Sequence, residues 1–281
     1  RMKVESSDEI ATLGRAFNDM ALSLESQISR LENLSRVQQR FVSDVSHELR
    51  TPLTTLRMAS EVIYGQRENF DPTIARSSEL LVAQLDRFEG LLEDLLEISR
   101  FDAEVAVLEP ADFDLVSLVK RCAADLLGNE NDQQSVINID HATEQVMIKA
   151  DIRRVERIMR NLLSNALDHA EDKAVDVTII STSTEVGVGV RDHGAGIEPS
   201  VLSRVFDRFW RADPSRARVR GGTGLGLSIA LEDARLHNGE LDAWGAPGFG
   251  AHFVMTLPRI AGEQISGRPI RSQPFDYPQT D

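Results

Sequence analysis

Apolar residues at helical spacing over the first third of the chain constrain its fold more than any other feature. From Ile10 to Leu24 they step by three and four residues, which is the pattern of a coiled-coil seam. The next step, from Leu24 to Ile28, is again four, and two successive fours form a stutter that locally unwinds a supercoil. The pattern runs on to about Tyr64 and predicts one long helix.

A second amphipathic helix follows a short break. Gly65 and Pro72 bound the segment "GQRENFDP" and are stop and restart signals, and residues 73–100 carry the next apolar face. That face consists of Leu80, Leu81, Leu85, Phe88, Leu91, Leu92, Leu95 and Ile98. The hairpin itself offers nothing to cover so broad a stripe, so we predict a symmetric dimer that forms a four-helix bundle. The alternative is a hairpin that packs on its own C-terminal domain.

The character of the sequence changes after residue 105. Helical patterns cover residues 115–127, 151–169 and 227–238. Strand patterns are "VINID", "VMIKA", "VDVTIIS", "VGVGVRD", "ELDAWG" and "AHFVMTLP". This mixture over residues 110–260 predicts an α/β two-layer sandwich, with one layer of helices and one of strands. Residues 261–281 contain several prolines and few apolar residues, which predicts a disordered tail.

Charge and composition narrow the classes of partner. The net charge of −14 argues against nucleic acid, because phosphate binding needs a clustered basic surface. Cys122 is the single cysteine and cannot form an intrachain disulfide, which predicts a reducing compartment. No run of about 18 apolar residues is present, so no segment is expected to span a membrane. Arg1 already lies inside a helical pattern, so we expect a piece of a longer protein whose other part holds any membrane segments.

The stretch "FVSDVSHELRTPLTT" places His47 in the first predicted helix, beside Glu48 and five residues before Pro52. Proline removes a backbone donor and is expected to bend the helix. A neutral imidazole has one nucleophilic ring nitrogen, and attack through it releases the proton of the other nitrogen, which Glu48 can accept. The stretch therefore predicts a nucleophile and its base on a helix with two low-cost shapes. A surface histidine in a helix bent by proline is the alternative.

Two asparagines, Asn161 and Asn165, lie four residues apart in "RNLLSNALDHA". This spacing puts both amides on one helical face. Amide oxygens suit a Mg²⁺ ion whose other ligands are phosphate oxygens, since Mg²⁺ prefers oxygen donors and takes few ligands from the protein. The pair thus predicts a metal-phosphate site, and two solvated asparagines on an amphipathic helix are the alternative.

Asp192 ends an apolar strand in "RDHGAGI" and is followed by Gly194 and Gly196. An ionised carboxylate only accepts hydrogen bonds, so it can recognise an exocyclic amine such as that of adenine. Glycines beside it let a flat base approach the backbone. The motif predicts a base-binding site, with a plain turn as the alternative.

Four glycines in "GGTGLGLSIA" precede a predicted helix: Gly221, Gly222, Gly224 and Gly226. Free backbone amides and the positive helix end can hold a polyphosphate there, although no Lys-Ser/Thr pair follows as in a P-loop. Upstream, "FDRFWRADPSRARVR" mixes aromatic anchors with arginines. The aromatic residues are Phe206, Phe209 and Trp210, and the arginines are Arg208, Arg211, Arg216, Arg218 and Arg220. The segment predicts a mobile lid over an anionic ligand, or else a flexible surface loop.

Taken in order, these stretches resemble a sensor histidine kinase over nearly the whole chain. "SHELRTPL" is similar to the phosphoacceptor box, "NLLSNA" to the N box, "DHGAGI" to the G1 box, "FDRFWRAD" to the F box and "GGTGLGLSIA" to the G2 box. "GFGAHFVMTLP" is similar to the closing strand of the ATP-binding domain, and "DEIATLGRAFNDMA" to the end of a HAMP linker. The resemblance implies a HAMP end with a signalling helix at 1–30, a dimerisation and phosphotransfer domain at 31–105, and an ATP-binding domain of the GHKL (Bergerat) fold at 110–260.

The resemblance also implies roles for individual residues. His47 would be autophosphorylated, Glu48 would act as base, and Thr51 would position water for dephosphorylation of the partner. Asn161 and Asn165 would hold Mg²⁺-ATP. The implied nucleotide-binding set is Asn161, Asn165, His169, Asp192, Gly194, Gly196, Arg208, Arg211, Gly222, Thr223, Gly224, Leu225 and Gly226.

One departure from the family pattern follows the N box. The family has Lys and then Tyr where this chain has Asp168 and His169. We therefore expect Arg208 or Arg211 of the lid to replace the lysine near the phosphates, and His169 to stack on the base in place of tyrosine.

The function that the resemblance implies is ATP-dependent autophosphorylation of His47 and transfer to an aspartate on a response regulator. The implied partners are a receiver domain and a second copy of the chain. The whole protein would lie on the cytoplasmic side of the cell membrane, with this fragment soluble. An enzyme that mainly dephosphorylates its regulator and a degenerate scaffold that signals by helix rearrangement are alternatives with the same fold. A chaperone-type or gyrase-type ATPase is a further alternative, but such chains lack the upstream hairpin. Whether phosphate moves within one chain or across the dimer depends on the turn at residues 65–72 and stays open.

Overall fold

The computed structural model describes residues 9–102, 106–128, 136–211 and 223–274. The chain divides into two compact units, Arg1–Val105 and Ala106–Asp281. The first unit is helical and the second is a mixed α/β unit, so the predicted combination of a helical hairpin and an α/β sandwich is confirmed.

The first unit is a hairpin of two long helices, as the apolar pattern predicts. Helix α1 (Glu9–Gly65) continues through Pro52, and a 3-10 helix (Arg67–Asn69) separates it from α2 (Pro72–Asp102). Asp71 caps α2: its side chain accepts the N–H of Thr73 at 2.9 Å, and Pro72 occupies the first helical position, where no backbone donor is needed. Arg57 of α1 joins the two helices through ion pairs with Asp86 and Glu89 of α2.

The hairpin leaves two rows of large apolar side chains exposed in the single chain. One row lies on α1 and the other on α2, and each repeats every seven residues. The α1 row is Leu49, Leu56 and Ile63, and the α2 row is Leu81, Phe88 and Leu95, with exposures between 38% and 55%. Seven-residue spacing keeps each row on one side of its helix, as in a coiled-coil seam.

The second unit consists of a helical layer against one face of a sheet. Its helices are α3 (Leu115–Gly128), α4 (Ile152–His169) and α5 (Gly226–Leu236). Its strands are β1 (Ala111–Asp114), β2 (Ile137–His141), β3 (Met147–Ala150), β4 (Val175–Ser181), β5 (Glu185–Arg191), β6 (Glu240–Gly245) and β7 (Ala251–Pro258). The main sheet has the order β2-β4-β5-β7-β6; β2 and β4 are parallel and the other pairs antiparallel. Strand β1, which was not predicted, pairs with β3 in a separate two-stranded sheet.

The core of the second unit lies between the helices and the sheet. Alternate residues of β5 (Val186, Val188 and Val190) are fully buried together with Ile158 and Leu162 of α4. Cys122 of α3 is also buried, and burial raises the pKa of its thiol. The residues of β5 that alternate with these valines are Glu185, Gly187, Gly189 and Arg191. They point to the opposite face of the sheet, because side chains alternate along a strand.

The prediction of a disordered tail is wrong for the residues that cover this opposite face. We call residues 266–274 the C-terminal strap. Ser266 donates from its backbone N–H and its hydroxyl to Oε1 of Glu185, at 2.7 and 2.6 Å. Ile270 is buried over Gly187, where an added Cβ would lie 3.1 Å from its side chain. The strap explains why β5 carries glycine there: a larger side chain would push it off the sheet. Residues 275–281 lie outside the described part of the chain.

Candidate functional site

Helix α4 is anchored at its start by Asp151. Oδ1 of Asp151 accepts the N–H groups of Arg153 and Arg154 at 3.1 and 3.3 Å, and Oδ2 accepts that of Glu109 at 3.0 Å. Burial raises the pKa of this carboxyl, but the three backbone donors outweigh burial and hold the pKa below its usual value. The ionised cap fixes where the helix begins and therefore where its later residues lie.

Asn161 joins α4 to the start of α5. Its Nδ2 donates to the backbone oxygen of Gly226 at 3.0 Å, and a Cβ on Gly226 would lie 2.8 Å from Oδ1 of Asn161. Asn165 follows one helical turn later and is partly buried. The structure thus brings the first predicted amide directly against the end of the glycine-rich segment, with the second on the same side of α4.

A buried carboxylate ties the same two helices together further along. Asp233 of α5 is 0% exposed. It accepts Nη1 of Arg154 at 2.8 Å and a two-pronged contact from Arg157, with Nε and Nη2 each at 2.7 Å. The sequence analysis missed this residue. The signal was present, because Asp233 falls on the apolar face of α5 together with Ile229 and Ala230, where a charge needs a partner.

Asp192 is buried at the end of β5. The N–H groups of Gly194 and Ala251 both donate to its Oδ1, at 3.0 and 3.2 Å. Burial raises the pKa of this carboxyl, against the lowering effect of these donors. Both donors bind Oδ1, so a further donor would meet Oδ2.

Gly194 packs directly against the end of α4. A Cβ at this position would overlap the backbone oxygen of His169, so no other residue fits without moving the loop. Gly196 is likewise packed against the backbone of Ala246. His169 itself is exposed, as is Asp168. The loop after β5 therefore packs directly against the end of α4, the helix that carries Asn161 and Asn165.

His193, between Asp192 and Gly194, fastens this loop to β4. Its Nε2 donates to Oδ2 of Asp176 at 2.7 Å, and Nδ2 of Asn138 donates to the other oxygen at 2.8 Å. Burial raises the pKa of Asp176, but these two donors outweigh burial and the pKa lies below its usual value. The G1-like loop is thus held from both ends.

Two of the three aromatic residues of the predicted lid pack on the core, and the third does not. Phe206 makes an edge-to-face contact with Phe253, with ring centroids 6.3 Å apart, and Trp210 packs against the core. Phe209 is instead 59% exposed and has a positive φ of 61°. Its backbone N–H donates to the oxygen of Gly224 at 2.9 Å, so the two ends of the lid segment meet.

The remaining lid and loop residues divide between the described and undescribed parts. Arg208 is exposed and Arg211 partly buried. Leu225 is fully buried, and its N–H donates to the hydroxyl of Thr223 at 3.2 Å. Gly222, with Gly221, Arg216, Arg218 and Arg220, lies outside the described residues.

The predicted phosphoacceptor segment lies in the first unit. Glu48 and Thr51 are exposed on α1. His47 belongs to the same helix, and its side chain lies outside the described residues. Thr51 follows His47 by one helical turn, which places both residues on the same side of α1.

Comparison with known families defines the class of this protein. Residues 37–104 match the His Kinase A (phospho-acceptor) domain, and residues 150–261 match the histidine kinase-, DNA gyrase B- and HSP90-like ATPase family. A histidine-bearing hairpin followed by an ATPase-type sandwich is the domain pair of a histidine kinase, and the chain belongs to this family.

Within the family the chain is similar to the sensor histidine kinase MtrB. It is 51% identical over 278 residues to MtrB of Mycolicibacterium paratuberculosis, covering 99% of this chain and 49% of that protein. It is 50% identical over 275 residues to MtrB of Mycobacterium tuberculosis, covering 98% and 48%. The chain therefore spans about half the length of these relatives.

The fold is also similar to a solved structure, full-length ShkA in complex with AMPPNP. The TM-score is 0.67 and the identity 25%, over 83% of this chain and 47% of that chain. Among the described helices, none is both long and apolar enough to cross a membrane.

Proposed function

We propose that this chain uses ATP to phosphorylate His47 and passes the phosphoryl group to an aspartate of a response regulator. One observation carries the proposal. The glycine-rich segment contacts Asn161 midway along α4, and the loop that begins with Asp192 packs against His169 at the end of the same helix, in a chain whose phospho-acceptor domain match contains His47. A nucleotide site and a phosphoacceptor histidine in one chain are the two parts that this reaction needs.

We propose that the adenine base binds at Asp192. Oδ2 accepts the exocyclic amine, and the loop that contains Gly194 packs against the last residue of α4 beside it. His169, exposed at that end of α4, stacks on the base. The similarity to ShkA, whose structure contains AMPPNP, supports an adenine nucleotide in this pocket.

We place the phosphates and Mg²⁺ beside the contact between Asn161 and the start of α5. Asn161 and Asn165 offer amide oxygens, and Gly224 and Gly226 offer a backbone without side chains. In the described ranges no three His, Cys, Asp or Glu residues cluster as a metal site, so the amides and the nucleotide would supply the ligands. Bound Mg²⁺ would neutralise charge on the phosphates. Arg208 and Arg211 would assist in place of the family's lysine.

The chemical step uses two side chains of α1. A ring nitrogen of His47 attacks the γ-phosphorus, and the N–P bond forms as the bond to the ADP oxygen breaks. The proton on the other ring nitrogen passes to Glu48, which is exposed next to His47 and able to accept it. The second transfer, to the regulator's aspartate, returns His47 to its starting state.

We propose that the working unit is a homodimer formed through the hairpin. The exposed rows Leu49–Leu56–Ile63 and Leu81–Phe88–Leu95 support this, since their seven-residue spacing suits packing against a second hairpin. Because the chain spans about half of its MtrB relatives, we place the sensor and membrane segments outside it, with this part on the cytoplasmic side.

The test is incubation of the protein with γ-labelled ATP and Mg²⁺. We expect acid-labile label on the protein that is lost in His47→Ala. The matched control is His141→Ala, which removes a histidine of the second unit that contacts only the nearby backbone of Thr143 among its described bonds. Label that persists in His47→Ala would contradict the proposal, and absence of label from a folded dimer would favour the scaffold alternative.

The position of Thr51 supports a second activity, the dephosphorylation of the response regulator. Its position one turn after His47 on the exposed side of α1 lets it orient a water at the same phosphoryl group. Thr51→Ala should leave autophosphorylation unchanged and slow release of phosphate from the phosphorylated regulator. Equal loss of both activities would show that Thr51 acts on the hairpin and not on that water.

A further inference from the structure

Asp233 lies outside every motif of the nucleotide site, yet it is the most completely buried ion-paired acid in the described part of the chain. We infer that Asp233, held by Arg154 and Arg157, is a positioning residue that sets the register of α5 against α4 and so places Asn161 for the nucleotide. The inference rests on the proposed function, because it assigns a role within the same ATP site.

Three contacts form a ladder between the two antiparallel helices. At one end the backbone N–H of Asp151 donates to Nε2 of His237 at 3.1 Å. Nδ1 of the same ring donates to the backbone oxygen of Asp233 at 2.7 Å. The carboxylate of Asp233 forms the middle rung. Asn161 and Gly226 form the last rung, at the phosphate end.

His237 joins this ladder as a neutral ring. Burial lowers the pKa of the imidazole. Its two contacts require Nδ1 to carry the hydrogen and Nε2 to accept, because a backbone N–H can only donate and a backbone oxygen can only accept. The lower rung is therefore directional, and it ties the end of α5 to the cap of α4.

The burial of Asp233 argues against a role of the middle rung in stability alone. Taking the Asp233 carboxylate fully out of water, and the two guanidinium groups partly, costs much of what their attraction returns. Well-packed apolar residues often replace such groups without loss of stability. What apolar residues cannot supply is geometry. The planar fork of Arg157 meets both carboxylate oxygens at 2.7 Å, which allows a single alignment of the helices.

The position of α5 along α4, set at the Asp233 rung, also determines where the proposed nucleotide-binding residues lie. A slip of one residue along a helix moves its backbone by about 1.5 Å, enough to take the Gly226 oxygen out of reach of Asn161. A displacement of that size at a reacting centre is sufficient to impair positioning strongly. The glycine-rich segment leads directly into α5, so its amides move with the helix.

The experiment replaces the rung by apolar residues of similar size. The triple variant Asp233→Leu, Arg154→Met, Arg157→Met should unfold within a few degrees of the parent. Its KM for ATP and its Kd for an unreactive ATP analogue should rise about tenfold, with a smaller change in kcat. The matched control is Arg160→Met, on the same helix, whose ion pairs with Asp125 and Glu156 do not reach α5. It should leave KM and Kd unchanged.

A triple variant that folds and binds the analogue as the parent does would overturn the inference. Should the triple variant not fold, Arg157→Lys decides, since lysine keeps the charge but lacks the fork. A rise in KM and Kd with little change in unfolding temperature supports the inference, and unchanged values overturn it, with Arg160→Lys as control. The binding measurement separates the two proposals: a parent protein that binds the analogue but never labels His47 contradicts the proposed function alone.

Discussion

The two units differ in how much of their apolar surface they bury within the single chain. Every one of the largest fully buried side chains in the described residues belongs to the second unit, for example Leu162 and Phe253. The hairpin buries few apolar residues, among them Leu53, and joins its helices through Arg57, whose side chain is 46% exposed. The second unit therefore has a core of its own, whereas the hairpin presents apolar surface that a second copy would cover.

The largest expected effect tests the hairpin side of this comparison. Leu56→Glu with Phe88→Glu puts charge into both exposed rows, so we expect the dimer to dissociate completely to the 31.2 kDa chain in light scattering. ATP-analogue binding by the second unit should be unchanged. Met58→Glu is the matched control, because Met58 is exposed on α1 but lies off the row that contains Leu56. A dimer that survives the double substitution would contradict the proposed interface.

The next effect breaks the second unit while sparing the first. Gly194→Ala forces a Cβ into the backbone oxygen of His169, and a clash without room to relax costs about 3 kcal/mol. For a unit of this size we expect the unfolding temperature to fall by about 6–12 °C. Gly128→Ala is the control, since nothing lies within 4 Å of a Cβ there. Calorimetry should show the lower unfolding temperature in the second unit, and light scattering should show an unchanged dimer mass. Equal shifts in unfolding temperature for both glycine variants would contradict the packing described.

Most helices and strands could be predicted from the sequence because their signals are local. Apolar spacing located the end of α1 and both ends of α2 and α4 to within two residues, and alternation located β6 and β7. Strand β1 was missed because its four residues carry too short a pattern. It exists through pairing with β3, a contact that the local sequence does not contain.

The missed features of the second unit share one physical cause. The strap has the composition of a flexible tail, and its order depends on Glu185 and Gly187, which lie far upstream. Asp233 is similar, since its environment is set by arginines on another helix. For the proposed site, sequence motifs predicted Asn161 and Asp192, but their contacts with Gly226 and Ala251 required the fold.

A smaller effect sharpens the comparison at the strap. Ile270→Ala removes a side chain that is 9% exposed and packs on Gly187, so we expect the free energy of unfolding of the second unit to fall by about 2 kcal/mol. Ile260→Ala is the matched control, because Ile260 is 54% exposed and the same change there should have little effect. Denaturant titration measures both, and equal losses would show that the strap adds no packing energy.

The smallest effect is a pH dependence of the same strap. Hydrogen bonds, first from the Ser266 hydroxyl and then from that of Thr184, lower the pKa of Glu185 from 4.5 to about 2. Because this pKa is lower in the folded state, the carboxylate stabilises the fold fully above about pH 4.5, and its contribution is lost as the pH falls toward 2. Glu185→Gln cannot ionise, so between about pH 6 and pH 3 its unfolding temperature should fall less steeply than that of the parent. Glu263→Gln, at an exposed site before the strap, should keep the parent's slope. If the unfolding temperatures of the parent and Glu185→Gln fall equally steeply with pH, the strap does not depend on this charge. Dimerisation through the hairpin should be the same in the parent, Glu185→Gln and Glu263→Gln.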